Sequence, residues 1–94
     1  MAVHPQFLKA ARVLLGLEQE ELARLASVGR RTLASIERGE SAGSVRTLTA
    51  IQEALEEKGV VFLPSTLRSG PGLRLRSEAF VRMREIGEPR RETE

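Results

Sequence analysis

The 94 residues are enough for one small domain with a modest core, so a second copy that adds buried area would be unsurprising. The chain has no cysteine, no aspartate and one histidine, which excludes disulfides and largely excludes catalytic triads and the common metal sites. No apolar run approaches the ~18 residues of a membrane span, and no signal peptide opens the chain. We therefore expect a cytoplasmic protein that is no enzyme, needs no cofactor and has no membrane partner.

Arginine carries most of the positive charge, with 13 arginines against 2 lysines. The planar guanidinium fork suits phosphates and the edges of bases better than an ammonium does. The net charge of +2 is weak evidence for a nucleic-acid partner by itself. The positions of the arginines must therefore decide the question.

Two helices are predicted at the start of the chain, over residues 3–16 and 17–27. Pro5 suits a first helical turn and Gly16 the residue just past a helix end. The first helix has apolar residues at helical spacing, namely Leu8, Ala11 and Leu15, with Phe7 and Leu14 beside them. The second has three glutamates in its first turn, where the helix dipole favours anions. Its predicted buried side comprises Leu22, Ala23, Leu25 and Ala26.

A third helix over residues 30–39 follows a connection of only three residues, 27–29. At ~100° per residue its side chains separate into two groups. The predicted buried face holds Leu33, Ile36 and Glu37. The opposite face holds Arg30, Arg31, Ala34, Ser35 and Arg38, with Thr32 on the flank. Because a cation at a helix start costs roughly 0.3–1 kcal/mol, the two leading arginines indicate that this end meets a strongly negative partner.

A fourth helix is predicted over residues 44–59, capped by Ser44, after the loop 40–44. Its apolar stripe comprises Val45, Leu48, Ile51 and Leu55. The pattern then changes to two β-like runs, 60–64 and 72–76, the second of which alternates leucine with arginine. A hairpin is the simplest interpretation, with its strands pairing within one chain or across two. Because such ribbons are marginal alone, it must lie on the helices or on a second subunit.

The C-terminal stretch predicts a short helix over residues 77–87, capped by Ser77, and a disordered tail over 88–94. The helix would place one apolar stripe on one side, made of Phe80, Met83 and Ile86. That stripe is a candidate for the core or for a dimer contact.

Two helices joined by a three-residue turn, the second with a basic outward face, are typical of the helix-turn-helix arrangement. Its second helix enters the DNA major groove with its N-terminal residues at the base edges. Arg30 and Arg31 would then meet phosphates and bases, and arginine is the best bidentate partner of guanine O6 and N7.

The stretch LGLEQEELARLASVGRRTLASIERGE resembles the Xre/Cro-type, phage-repressor-like helix-turn-helix family, and the resemblance covers roughly residues 5–58. It is carried by twelve residues at family spacing, namely Arg12, Gly16, Leu17, Gln19, Glu21, Leu22, Ala23, Val28, Leu33, Ile36, Glu37 and Gly39. The resemblance implies a mainly α fold, with a compact four-to-five-helix DNA-binding domain over residues 1–59. A β-ribbon extension for dimerisation over 60–76 would follow it, and the residue pattern alone adds a short helix with a tail over 77–94.

The resemblance also assigns roles to residues. It implies base contacts from Arg30, Arg31 and Ser35, with Thr32 near a base or phosphate. It implies a phosphate contact from Gln19 and a structural ion pair between Arg12 and Glu37. We expect further phosphate contacts from the end of the third helix, the loop after it and the start of the fourth helix, at Arg38, Ser41, Ser44 and Arg46. Arg38 and Arg46 could equally serve solubility, and Arg74 and Arg76 could either touch flanking DNA or simply face solvent.

Several positions depart from the family pattern. Ser27 stands where the family usually has glycine, and Gly29 stands where it usually has a serine or threonine cap. Ser27 must therefore adopt a left-handed conformation, or the turn differs. Glu18 replaces the usual polar cap of the second helix, and Gly43 replaces a common proline.

The sequence thus predicts a sequence-specific transcriptional regulator, a repressor that binds double-stranded DNA as a homodimer on a near-palindromic operator. An activator cannot be separated from a repressor by sequence. The alternative from a different class is an antitoxin or other protein-interaction module, which would bind a protein partner through residues 60–87.

Overall fold

The computed structural model describes residues 3–87 of the chain, which form five helices and a two-stranded ribbon. In chain order the elements are α1 (Pro5–Leu15), α2 (Gln19–Ala26), α3 (Arg30–Glu37), α4 (Val45–Glu57), β1 (Val60–Leu63), β2 (Gly72–Leu75) and α5 (Ser77–Gly87). Each element lies within its predicted range, which confirms the mainly α class with a short ribbon. The predicted tail over 88–94 lies outside the described residues.

The core lies where α1, α2, α3 and α4 meet. Its six largest fully buried side chains are Leu8, Leu22, Leu33, Ile36, Ile51 and Leu55. Two predicted core residues are wrong: Leu25 is exposed, and Val45 is 73% exposed. On a helical wheel both lie at the edge of their stripe rather than at its centre, and Val45 is also the first residue of α4. A wheel gives the direction of a side chain but not whether a neighbour reaches it.

The ribbon is antiparallel and pairs within one chain, with Val60 opposite Leu75 and Phe62 opposite Leu73. These residues share the inner face and pack on the helical core, to which Val60 itself belongs. Arg74 and Arg76 are exposed, so the predicted alternation of leucine and arginine is confirmed. Because its inner face packs on the helices, the ribbon has the support that an isolated hairpin lacks.

The helix α5 packs differently from its predicted stripe. Phe80 is 44% exposed, and the buried residue is Ala79. Ala79 lies so close to Gly59 that a Cβ built on Gly59 would come within 2.5 Å of the Ala79 Cβ. Close approach between the end of α4 and α5 thus selects small residues. Ser77 is the first residue of α5 instead of its cap, and the side chain of Ile86 lies outside the described residues.

In the turn between α2 and α3, the residue types at the left-handed position and at the cap are exchanged relative to the family pattern. Ser27 adopts the left-handed conformation, with φ 57°, and is the one non-glycine residue with positive φ among residues 3–87. Its N–H donates to the carbonyl of Arg24, which closes the last turn of α2. Gly29 occupies the cap position of α3 with no side chain to bond the helix start.

The loop between α3 and α4 departs from the common proline for a steric reason. Gly43 has φ +73°, a conformation that proline cannot adopt. A Cβ at this position would come within 2.9 Å of Ile36 Cδ1. The loop therefore lies directly against the core side of α3, and glycine permits that approach.

We predict that Ser27→Gly stabilises the protein by about 1 kcal/mol. Glycine removes roughly 1–2 kcal/mol of left-handed strain from the folded state. Part of this gain is lost because glycine also increases the conformational entropy of the unfolded chain. Thermal unfolding should show a midpoint higher by about 4–8 °C.

Ser65→Gly is the matched control for this substitution. Ser65 is also exposed and is not among the positive-φ residues. Its replacement should leave the midpoint unchanged or lower it. An equal rise in both variants would contradict strain at Ser27.

Candidate nucleic-acid interface

The helices α2 and α3 form the helix-turn-helix, with eight residues in each helix and a connection from residue 27 to 29. On α3 the buried side chains are Leu33, Ile36 and Glu37, the three predicted from its periodicity. Arg30, Arg31 and Thr32 are exposed, and Ala34 and Ser35 are half-buried. The exposed face of α3 therefore combines basic residues at its start with small residues further along.

The two arginines at the start of α3 have no partner within the described part of the chain. Neither Arg30 nor Arg31 makes an ion pair or a side-chain hydrogen bond with residues 3–87. Thr32 and Ser35 likewise keep their hydroxyls unengaged there. Since the start of a helix carries about half a positive charge, these guanidiniums stand in an unfavourable field that no ion pair among residues 3–87 relieves.

A buried ion pair holds α1 against α3, as the family resemblance implies. Arg12 Nε donates to Glu37 Oε2 at 2.7 Å, and Nη2 donates to Oε1 at 2.9 Å. The side chain of Glu37 is 2% exposed, and that of Arg12 13%. Arg12 Nη1 also donates to the carbonyl of Leu17, 2.8 Å away, which fixes the start of the connection to α2. Bidentate geometry of this kind is directional as well as strong.

Gln19 joins the same pair from α2. Its Nε2 donates to Glu37 Oε1 at 2.9 Å, so one carboxylate ties together three helices. The predicted phosphate contact from Gln19 is untested by this geometry, because its amide nitrogen has a second N–H. Sequence reasoning missed the bond to Glu37. The one available signal was that Glu37 lies on the buried face of α3 and therefore needs partners.

The pKa of Glu37 reflects this environment. Burial raises the pKa. The hydrogen bonds from Arg12 and Gln19 and the charge of Arg12 lower it by more than burial raises it, so the pKa lies below the ordinary glutamate value. Glu37 is therefore ionised throughout the neutral range. It acts as the fixed anion of the interface scaffold.

The other predicted phosphate contacts have local partners or none. Arg38 Nη2 donates to Glu40 Oε1 at 3.0 Å in an exposed pair. Ser41 Oγ accepts from the N–H of Gly43, and Ser44 Oγ accepts from that of Thr47 as the cap of α4. The guanidinium of Arg46 is exposed and has no partner among residues 3–87.

Gln19 and Arg30 lie on one shallow depression at the surface, together with Arg12, Glu18 and Glu20. The structure thus brings the start of α2 next to the start of α3. These are the two helix ends at which the sequence predicts phosphate and base contacts. Within the described part of the chain, the guanidinium of Arg30 is the unpaired cation of this depression, and the carboxylates of Glu18 and Glu20 lie beside it.

A helix-turn-helix family model matches residues 8–62, which run from α1 into β1 and make up more than half of the chain. The chain belongs to the Xre/Cro-type helix-turn-helix family. Membership makes it a DNA-binding helix-turn-helix regulator. Among curated proteins, no sequence is similar enough to count as a match.

No group of three or more histidine, cysteine or acidic side chains among residues 3–87 is placed to hold a metal ion. No helix in that range is both long and apolar enough to cross a membrane.

We predict that Glu37→Gln destabilises the protein by about 3 kcal/mol at neutral pH, because it leaves the Arg12 guanidinium buried without its counter-ion. A carboxyl whose folded pKa is lowered contributes stability above its unfolded pKa, and this contribution is lost as the pH falls through the folded value. The difference in unfolding free energy between the wild type and the variant should therefore become smaller below about pH 4.3. Urea unfolding at several pH values measures it.

Glu40→Gln is the control, because it removes a carboxylate from an exposed pair. Exposed pairs contribute little, so this variant should unfold nearly like the wild type at neutral pH. If the difference in unfolding free energy between the wild type and Glu37→Gln stays constant through the acidic range, Glu37 is not ionised in the folded protein, contrary to our prediction.

Proposed function

We propose that the protein is a repressor that binds a near-palindromic operator as a homodimer, with α3 in the major groove. The observation that carries this proposal is the free pair Arg30 and Arg31 on the exposed first turn of α3. Binding at an operator that overlaps a promoter would exclude the polymerase. This activity would place the protein in the cytoplasm, with the DNA.

The chemistry of α3 supports base readout at its start. Each arginine can donate two parallel hydrogen bonds to O6 and N7 of a guanine. Thr32 and Ser35 can contact a base edge or a phosphate, and the small side chains at positions 34 and 35 let the helix backbone approach the groove closely. The DNA field would outweigh the dipole of α3, which removes the cost of placing cations there.

Phosphate contacts would fix the position of α3 in the groove. Gln19 would use its second amide N–H from the start of α2. Arg46 is free for such a contact, whereas Arg38 must first exchange Glu40 for a phosphate. The segment from Ser41 to Ser44 would offer backbone amides. Contacts of this type position the protein but do not specify sequence.

The scaffold would keep these groups in register. Glu37 connects α3 to both α1 and α2, and so limits the angle between the two helices of the motif. A fixed angle matters because base readout requires several hydrogen bonds to form in one docking geometry.

A second candidate function is an interaction module, such as an antitoxin, that binds a protein through residues 60–87. Phe80 and Val81 on α5 are exposed apolar residues and favour this candidate. Removing the whole segment would expose the core, because Val60 belongs to it. The sharper test is Phe80→Ser with Val81→Thr, which should abolish capture of the partner and leave operator affinity unchanged.

We predict that Arg30→Ala with Arg31→Ala weakens operator binding by at least about 30-fold, since each lost bidentate contact costs ~1–3 kcal/mol. The slope of log affinity against log salt should also become shallower, because fewer counterions are released. Fluorescence anisotropy with a labelled operator measures both.

Arg24→Ala with Arg82→Ala is the matched control. It removes the same charge from exposed positions with no proposed DNA contact. Its affinity should stay within a few-fold of the wild type. Equal losses in the two double variants would show that net charge, not the start of α3, governs binding.

Selection of bound duplexes from a randomised pool, at about 150 mM salt to suppress non-specific contacts, should yield a palindromic consensus. Its half-sites should lie about 34 Å apart, or one helical turn. Sequencing of the retained DNA gives the result. No enrichment from folded protein would contradict sequence-specific binding and favour the interaction module.

A further inference from the structure

The turn that joins the two strands of the ribbon is ordered by its own hydrogen bonds. The N–H of Thr66 donates to the carbonyl of Ser69 at 2.7 Å, and the N–H of Ser69 donates to Thr66 Oγ1 at 3.0 Å. Leu67 and Arg68 are the two central residues of this closed turn. Their backbone is therefore held in place at the tip of the ribbon.

Leu67 is the most exposed large apolar side chain among residues 3–87, at 101% of its reference area. Arg68 next to it is exposed and has no partner in that range. A leucine presented on an ordered turn loses little conformational freedom on binding, so it is well suited to anchor a contact. The tip thus offers one apolar and one cationic group side by side.

A groove of about 580 Å³ lies beside this turn, between the start of α1, the second half of α4 and the ribbon. Apolar side chains line it, among them Phe7, Phe62 and Leu63. Glu56 of α4 also lines it, and its Oε2 accepts a hydrogen bond from Gln52 Nε2 at 3.1 Å. The groove therefore offers an apolar floor with a carboxylate on it.

We propose that a second copy of this chain occupies the groove, with its Leu67 on the apolar floor and its Arg68 paired with Glu56. The same contacts form in reverse on the other side. This interface would belong to the homodimer of the proposed function. It rests on that function only in requiring a homodimer and does not depend on DNA readout by α3.

The arrangement of the patch supports a closed two-fold pair. Pro64 and Pro71, which flank the turn, also line the groove. The donor tip and the acceptor groove thus belong to one surface, as an interface with two-fold symmetry requires. The opposite charges of Arg68 and Glu56 favour a copy of this chain over an acidic or purely apolar occupant.

Charge exchange in the full-length protein tests the pairing. Arg68→Glu alone and Glu56→Arg alone should each weaken dimerisation by about tenfold or more, because two copies of the pair are lost per dimer. The combination of both should return the dissociation constant to within a few-fold of the wild type. Sedimentation velocity over a range of concentrations measures it. The exposed set Arg82→Glu, Glu53→Arg and their combination is the control and should leave dimerisation unchanged.

Leu67→Ser is the second variant. It should also weaken dimerisation by about tenfold or more, with an unchanged circular dichroism spectrum because Leu67 is fully exposed within the chain. A wild type that is monomeric throughout, or a dimer that neither single charge variant nor Leu67→Ser weakens, would overturn the proposal.

DNA binding separates this inference from the proposed function. Leu67→Ser should bind a single half-site with wild-type affinity and lose affinity only for the full palindrome. If the wild type is monomeric and still binds half-sites through Arg30 and Arg31, the interface is wrong and DNA readout stands. If charge exchange restores the dimer and no duplex is selected, the interface stands and the proposed function fails.

Discussion

The architecture of the interface depends on one buried carboxylate. Glu37 accepts from Arg12 on α1 and from Gln19 on α2 while belonging to α3 itself. A buried charge is tolerated only when its lone pairs are filled, so the three helices can pack closely only in an arrangement that supplies these donors. The short helices of the motif, with eight residues each, have little intrinsic stability. The contacts of Glu37 with Arg12 and Gln19 therefore fix the relative orientation of helices that are too short to be stable alone.

The charges at the two ends of α3 differ in sign and in burial. The anion is buried at its C-terminal end, and the cations are exposed at its N-terminal end. Both placements oppose the helix dipole, which favours anions at the start and cations at the end. One is compensated within the protein by Arg12. The other has no compensation among residues 3–87 and is the feature that the proposed DNA contact accounts for.

Periodicity in the sequence was sufficient to predict what depends on direction alone. It gave the two faces of α3 and the alternation of leucine and arginine along β2, and the resemblance gave the pair of Arg12 with Glu37. It could not give what depends on distance between elements. The contact of Ala79 with Gly59, the exposure of Val45 and the bond from Gln19 to Glu37 all follow from how close two helices come. The left-handed Ser27 lies between these cases, since the family pattern allowed either this conformation or a different turn, and the structure shows that serine adopts the left-handed conformation.

The two-stranded ribbon has a consequence for the order in which the chain assembles. A sheet of two strands has no central strand, so all of its backbone pairs lie next to an edge. The helices, in contrast, close their hydrogen bonds over short sequence separations and can nucleate early. We therefore expect the ribbon and α5 to dock last and to open first in the native state. Amide protons of β1 and β2 should accordingly exchange with solvent through local opening, while those of α1 and α4 wait for global unfolding.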